Sequence, residues 1–538
     1  MFIANSKIEA GSGEKMKSDN RASAIGLVLG PLIFLFIVLF PIQQLHELSF
    51  GSKVVLASTI WMAIWWITEI VPIYVTALLP LIIFPLFNVL SFTEASSNYA
   101  DRIIFLFLGG FLLAKAVEKS NLHKRFAFNI LKLFGTNPKY VVAAFMIVTW
   151  FIGAWMSNTA TTILMLPIAL AVTSLFNDAK NRNKFAVCLL LSIAYSASIG
   201  GVTTLIGTPP NAIFASLANS LTGIDITFSK WLVLGIPISG ISLVVLWIYM
   251  VRFGAKITDI KSNSIGDKNV ITKKLRELGP ITRDEKLVAI VFLATIVAWV
   301  TRGILWKDVF PTIDDSMIAL IMAIILFLIP SSASYKEKIE DRDEIFDRYE
   351  MDKIERSYDL RDNNYGNDKK NSDRKITPRL LDWNTAIAIP WGVLILIGGG
   401  LALADGFISS GLDNWISQQL GFLGSMHYAI IILIFVTLAI LPTEMISNTA
   451  TAALLLPIAG SLATSMNLNP ILLMAPVAVA SSYGFIMPVG TPPNAIVHST
   501  GFISVRRMAK AGIPLDLISI VLVTVLTSIL VPLLFGKT

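Results

Sequence analysis

Long apolar runs alternate with short polar segments along almost the whole chain. The runs fall near residues 23–43, 54–70, 72–91, 101–117, 141–156, 160–176, 185–206, 231–251, 287–304, 316–330, 385–404, 428–442, 450–465, 471–489 and 511–535. About twenty apolar residues span the hydrocarbon core of a bilayer as a helix. Some runs are long enough to cross, while others are too short or too broken to cross alone. The pattern predicts an all-α polytopic membrane protein. A basic tail, residues 1–22, precedes the first run, which lacks a small-residue cleavage site and is expected to be a retained helix rather than a signal peptide.

The polar interruptions repeat. Ser157-Asn158-Thr159-Ala160-Thr161 returns as Ser447-Asn448-Thr449-Ala450-Thr451, an offset of 447 − 157 = 290. Each copy is followed by a second string, Gly207-Thr208-Pro209-Pro210-Asn211 and Gly490-Thr491-Pro492-Pro493-Asn494. Gly109-Gly110 and Gly399-Gly400 also stand 290 apart and are expected to mark close helix packing. Helix-breaking sequence at corresponding points of two membrane-embedded halves points to the binding site of a secondary transporter. The halves are expected at 23–252 and 287–535, with a loop at 253–286 between them. Each half would carry a re-entrant hairpin (about 141–176 and 428–465) and a broken helix (about 185–219 and 471–500). A polar connector, 331–382, lacks the apolar residues to bury a core of its own.

Charge sets the predicted orientation. The chain has 538 residues, of which 54% are hydrophobic and 15% charged, and its formal charge is +7. The excess fits loop asymmetry under the positive-inside rule better than a nucleic-acid partner. Clusters at Lys7 to Arg21, Lys119 to Lys132, Lys180 to Lys184, Arg252 to Lys286 and Arg506 to Lys510 read as cytoplasmic. The first hairpin then enters from the cytoplasm and the second from outside, so the repeats are inverted. The N-terminus is expected inside and the C-terminus outside. The single cysteine, Cys188, excludes an intramolecular disulfide and is expected to be a packed thiol. No phosphate loop or zinc motif occurs, and the four histidines are scattered, so neither ATP hydrolysis nor zinc catalysis has support. No cofactor and no enzyme activity are expected.

The repeated strings have a common chemistry. Ser, Asn and Thr are strong N-caps, so each Ser-Asn-Thr marks the start of a returning half-helix. In Gly-Thr-Pro-Pro-Asn, glycine suits the end of one half-helix, threonine caps the next, and proline occupies its first position. Four half-helix N-termini of roughly +0.5 charge each give about +2 in sum, which suits a divalent anion. Neither tip carries Lys, Arg or His between Gly153 and Pro167 or between Thr443 and Pro457. Dipoles and hydroxyls alone compensate a buried dianion poorly, so co-bound cations are expected, held by backbone carbonyls and Asn, Ser or Thr oxygens.

With these tips and breaks, and with the segment Trp65-Trp66-Ile67-Thr68-Glu69-Ile70-Val71-Pro72 to Pro80, the chain resembles the divalent anion/sodium symporter family over nearly its whole length. The resemblance implies a homodimer, each protomer combining a scaffold with a transport part that moves by an elevator mechanism. Carried over residue by residue, it implies substrate contacts at Ser157, Asn158, Thr159, Thr208, Pro209, Ser447, Asn448, Thr449, Thr491 and Pro492. It implies one Na+ at Gly153, Ser157, Asn158 and Gly207, and a second at Thr443, Ile446, Asn448 and Gly490. Thr443 is matched by Gly153, so the first ion site has one hydroxyl fewer.

Among the remaining charges, Glu444 is either a proton-coupling carboxylate or, the favoured reading, a structural one. Glu69 is expected to fix a bend, and Lys115 and its repeat partner Asp405 to snorkel or pair. The expected function is Na+-coupled symport of small divalent anions, foremost C4 dicarboxylates such as succinate, malate and fumarate. Citrate or sulfate symport, sodium-independent dicarboxylate exchange and a gated anion channel are the alternatives.

Overall fold

The computed structural model describes residues 26–41, 45–135, 137–176, 178–260, 269–306, 310–332 and 378–536. Most of the 331–382 connector lies outside the described residues. Its ends meet, because the Ser331 amide donates to Pro378 O at 2.8 Å and the Leu380 amide to Ile329 O at 3.0 Å.

Helix α1 (Phe50–Thr68) ends at Glu69, whose φ of 47° lies in the left-handed region and turns the chain before Pro72. In the first repeat follow α2 (Arg102–Lys119), the amphipathic α3 (Leu122–Leu133), the hairpin pair α4 (Pro138–Gly153) and α5 (Asn158–Thr173), the broken pair α6 (Ala179–Thr203) and α7 (Pro209–Thr222), and α8 (Phe228–Tyr249). Helices α9 (Arg283–Thr301) and α10 (Asp315–Leu328) come next. The second repeat runs α11 (Trp391–Ser410), α12 (Leu412–Gln419), the hairpin α13 (Tyr428–Thr443) and α14 (Asn448–Ser465), the broken pair α15 (Ile471–Ala480) and α16 (Pro492–Ser499), and α17 (Val505–Phe535).

The hairpins stay in register through the repeat: α4 and α13 start 428 − 138 = 290 apart, and α5 and α14 start 448 − 158 = 290 apart. Each hairpin helix has 16 to 18 residues, short for a full crossing. Five helices among the described residues are long and apolar enough to span: α1, α6, α8 with its π-helical extension to Gly254, α11 and α17.

The repeats interlock. Half-helix α7 of the first packs against hairpin helix α14 and against α15 of the second, while α16 of the second packs against α5 and α6 of the first. Each hairpin tip is thereby brought to the broken helix of the opposite repeat. The paired glycines set the helix spacing. A Cβ on Gly109 would lie 2.5 Å from Ala319 Cβ, and one on Gly399 would collide with the Ala77 carbonyl.

In one respect the breaks depart from expectation. The glycine of each Gly-Thr-Pro-Pro-Asn string does not end a half-helix. α6 already stops at Thr203 and α15 at Ala480, so the breaks run over 204–208 and 481–491. Close approach is what requires these glycines. Gly207 lies against the Gly201 carbonyl, and a Cβ on Gly490 would stand 3.2 Å from Glu444.

Candidate substrate and cation site

The two tips and the two breaks meet around one cavity of about 890 Å³. Its wall includes Ser157, Asn158, Thr159, Gly207, Thr208, Pro209, Ser447, Asn448, Thr449, Gly490, Thr491 and Pro492. All ten expected substrate contacts therefore border the same space. Of the expected ion ligands, Gly153, Thr443 and Ile446 do not line it. Gly153 is buried at the end of α4, where an added Cβ would stand 3.0 Å from Ala197 O. Thr443 is buried behind the second tip, and Ile446 is half-buried.

Ser157 and Ser447 are the N-cap residues of α5 and α14, and Thr208 and Thr491 those of α7 and α16, with prolines 209 and 492 at the first helical position. Only two of the four side chains cap. Ser157 Oγ accepts from the Ala160 amide at 3.3 Å and Thr491 Oγ1 from the Asn494 amide at 3.4 Å. Ser447 and Thr208 make no side-chain cap bond. Their N-terminal amides lack that competitor and remain free for an anion.

The asparagine ending each Pro-Pro string holds its break in shape. Asn211 Nδ2 donates to Gly201 O at 3.2 Å and Thr204 O at 2.8 Å, and Asn494 Nδ2 donates to Gly484 O and Met487 O, both at 3.0 Å. The acceptors correspond across the repeat, since 484 − 201 = 283 and 487 − 204 = 283, the same offset as 494 − 211 = 283. Both amides thus satisfy carbonyls at the break that no continuing helix satisfies.

The oxygen chemistry suits a hard monovalent cation. Asn158 Oδ1 is buried with no donor, as are Asn211 Oδ1 and Asn494 Oδ1. A Cβ built on Gly201 would lie 2.8 Å from Asn158 Oδ1 and 3.2 Å from Gly207 O, so those two oxygens converge on one small space. At the second tip Thr443 Oγ1 lies 2.9 Å from Asn448 Oδ1 and 2.9 Å from Ser481 O. Such clusters of neutral oxygens at broken helices coordinate Na+. Among the described residues no group of three or more His, Cys, Asp or Glu could hold a metal ion.

Glu444 has the partners of a structural clamp. Its carboxylate accepts from the Ile486 amide at 3.0 Å and the Met487 amide at 2.7 Å, pinning the longer break beside the second tip. Lys115 pairs with Glu118 at 2.7 Å, and Asp405 accepts from Asn98 at 3.0 Å.

Several wall residues escaped the sequence reading. Glu69, Tyr74, Phe107, Phe111 and His498 also line the cavity. Glu69 and Tyr74 belong to the Trp65 to Pro80 segment, in which the sequence points only to a bend at Glu69. His498 stands six residues after Pro492 on α16, and its Nδ1 lies 2.6 Å from Ile503 O. Among the described residues, no Lys or Arg is on the wall. Asp516, buried on α17 beside Glu444 and the Phe485 backbone, was hidden inside the last apolar run.

A second cavity of about 1240 Å³ shares Ser157 and Thr159 with the first and is lined by Lys115, Lys119, Lys124, Lys274 and His123. It continues the site toward the face bearing those basic residues. Burial pushes the His123 imidazole below its ordinary range, partly offset by its bond to Val117 O.

Inverted repeats, paired re-entrant hairpins and broken helices meeting at one cavity define a secondary active transporter with the elevator-type fold. Two solved transporters share that fold. Alcanivorax borkumensis YdaH aligns with a TM-score of 0.53 at 13% identity over 82% of this chain and 88% of its own. Neisseria gonorrhoeae MtrF aligns with a TM-score of 0.50 at 11% identity over 81% and 83%.

The sodium:sulfate symporter transmembrane region matches residues 21–536, and the chain belongs to that family of multi-pass membrane transporters. It is 40% identical to the sodium-dependent dicarboxylate transporter SdcS of Staphylococcus saprophyticus, over 100% of this chain and 95% of that protein. SdcS of Staphylococcus aureus strain USA300 is 37% identical over 97% and 94%. These matches agree with the expected family and with a transporter rather than an enzyme.

Proposed function

We propose that the protein is a Na+-coupled symporter of small divalent anions, with C4 dicarboxylates such as succinate, malate and fumarate as its preferred cargo. The observation that carries this reading is the convergence of four half-helix N-termini on a cavity with no Lys or Arg among its described wall residues, beside buried oxygens that lack donors. The N-termini favour an anion, and the oxygens favour the cation that neutralises it. The Ser447 and Thr208 hydroxyls, free of capping duty, bind one carboxylate end, and the Ser157 tip binds the other. One Na+ sits by Asn158 and Gly207, with Ser157 and Gly153 near, and the second by Thr443, Asn448, Ile446 and Gly490. The relatives named for sodium-dependent dicarboxylate transport support the choice of cargo and ion.

In this reading the basic face is cytoplasmic, as is the N-terminus, and the C-terminus is external. The Lys-lined cavity is then the inner vestibule, and this is an inward-facing state. Transport proceeds as the hairpins and broken helices rise and fall as one body against a scaffold within a homodimer. Uptake of succinate by proteoliposomes under an imposed Na+ gradient tests the proposal, with citrate, sulfate and internal dicarboxylate as competitors. Concentrative uptake that collapses when choline replaces Na+ is expected. Succinate exchange indifferent to Na+ refutes symport, and preferential sulfate or citrate uptake refutes the C4 assignment.

A further inference from the structure

Away from the transport cavity, a groove of about 390 Å³ lies where three membrane-spanning helices begin or end on the same side. Lys180 and Lys184 come from the start of α6, Arg507 and Lys510 from the start of α17, and Gly254 and Ala255 from the end of the extended α8. Among the described residues, no Asp or Glu lines it. None of the four cations forms an ion pair among the described residues. Among the described residues, their one side-chain hydrogen bond is a long one, from Arg507 to Phe502 O at 3.5 Å. The nearest acid in sequence, Asp178, spends both oxygens capping α6 on the Lys180 and Asn181 amides. Four cations without an ion pair among the described residues, gathered around one concave space, make a favourable seat for an anion.

The floor of the groove identifies that anion. Val187, Gly254, Ala255 and Ala511 supply apolar surface beneath the charges, and the apolar stretches of α6 and α17 start just past them. A free anion in water has no use for that floor, whereas a lipid places its phosphate among the cations and its glycerol and acyl carbons below. We propose that this groove binds the phosphate headgroup of an anionic lipid such as phosphatidylglycerol, tethering the helices that carry the broken-helix side of the site to one leaflet. The binding does not depend on the transport reading; only the assignment to the cytoplasmic leaflet does.

Native mass spectrometry of the purified full-length protein with added phosphatidylglycerol or phosphatidylcholine tests it. Wild-type protein is expected to retain phosphatidylglycerol selectively. Juxtamembrane cations each contribute about fivefold in affinity, so the triple variant Lys184→Gln/Arg507→Gln/Lys510→Gln should lose on the order of a hundredfold. The charge-retaining Lys184→Arg/Lys510→Arg protein should keep the lipid and shows that loss is not misfolding. Arg506→Gln, at a cation outside the groove, should leave retention intact. Undiminished lipid binding in the triple variant overturns the proposal, as does a loss in Arg506→Gln equal to that of the triple variant. Displacement of the lipid by millimolar inorganic phosphate or succinate also overturns it, by showing a site for free anions.

Discussion

Thr443 offers the sharpest test of the second cation site. Its side chain is 0% exposed, and its hydroxyl lies 2.9 Å from both Asn448 Oδ1 and Ser481 O. The hydroxyl has a single proton. When Na+ is present that proton can go to Ser481 O, leaving the hydroxyl lone pairs and Asn448 Oδ1 turned together toward the ion. Thr443→Ala deletes one ligand and leaves the buried Ser481 carbonyl without its donor. A lost interaction of this type is worth about 0.5–1.5 kcal/mol, or roughly two- to twelvefold in affinity. The half-saturating Na+ concentration for succinate uptake should rise by that factor, while succinate affinity at saturating Na+ changes less. Thr443→Ser keeps the hydroxyl and should restore the Na+ dependence. The methyl Cγ2 also matters to packing, because a Cβ on Gly484 would stand 3.0 Å from it, and the serine variant separates the two contributions. Uptake into proteoliposomes across a Na+ series, with equilibrium Na+ binding to purified protein, is the assay. Unchanged Na+ dependence in folded Thr443→Ala refutes the site, and equal impairment of the serine variant assigns the effect to packing.

Asn158→Asp and Asn448→Asp each add a negative charge beside a dianion while keeping an oxygen for the cation, so equilibrium binding of succinate should fall more than binding of Na+; wild-type affinities for both ligands would reduce these tips to structural caps. Gly201→Ala places a methyl 2.8 Å from Asn158 Oδ1 and should impair uptake without loss of folded protein, with normal uptake as the contrary result. Asn494→Leu strands the Gly484 and Met487 carbonyls, each costing about 1–3 kcal/mol, and thermal unfolding should move down by several degrees; an unchanged Tm would show that the break does not depend on this amide. A protease site inserted in residues 331–382 should be cut from the cytoplasmic side alone, and cleavage from outside intact cells would invert the proposed topology.

The repeat and its local consequences were legible in the chain alone. An offset of 290 residues between matching polar strings, read with the strong capping preference of Ser, Asn and Thr, located both hairpin tips to the residue, because caps and prolines act through neighbouring backbone amides. It missed where the broken halves stop. Thr203 and Ala480 carry no local stop signal; the breaks are held open by Asn211 and Asn494, which reach back seven and ten residues to carbonyls at the break. Long-range packing set the rest: each tip meets the broken helix of the other repeat, Glu444 clamps the 481–491 break, and Glu69 and His498 join the wall of the cavity. Those contacts join positions tens to hundreds of residues apart, where periodicity and capping are silent and close packing between helices sets which side chains share a space.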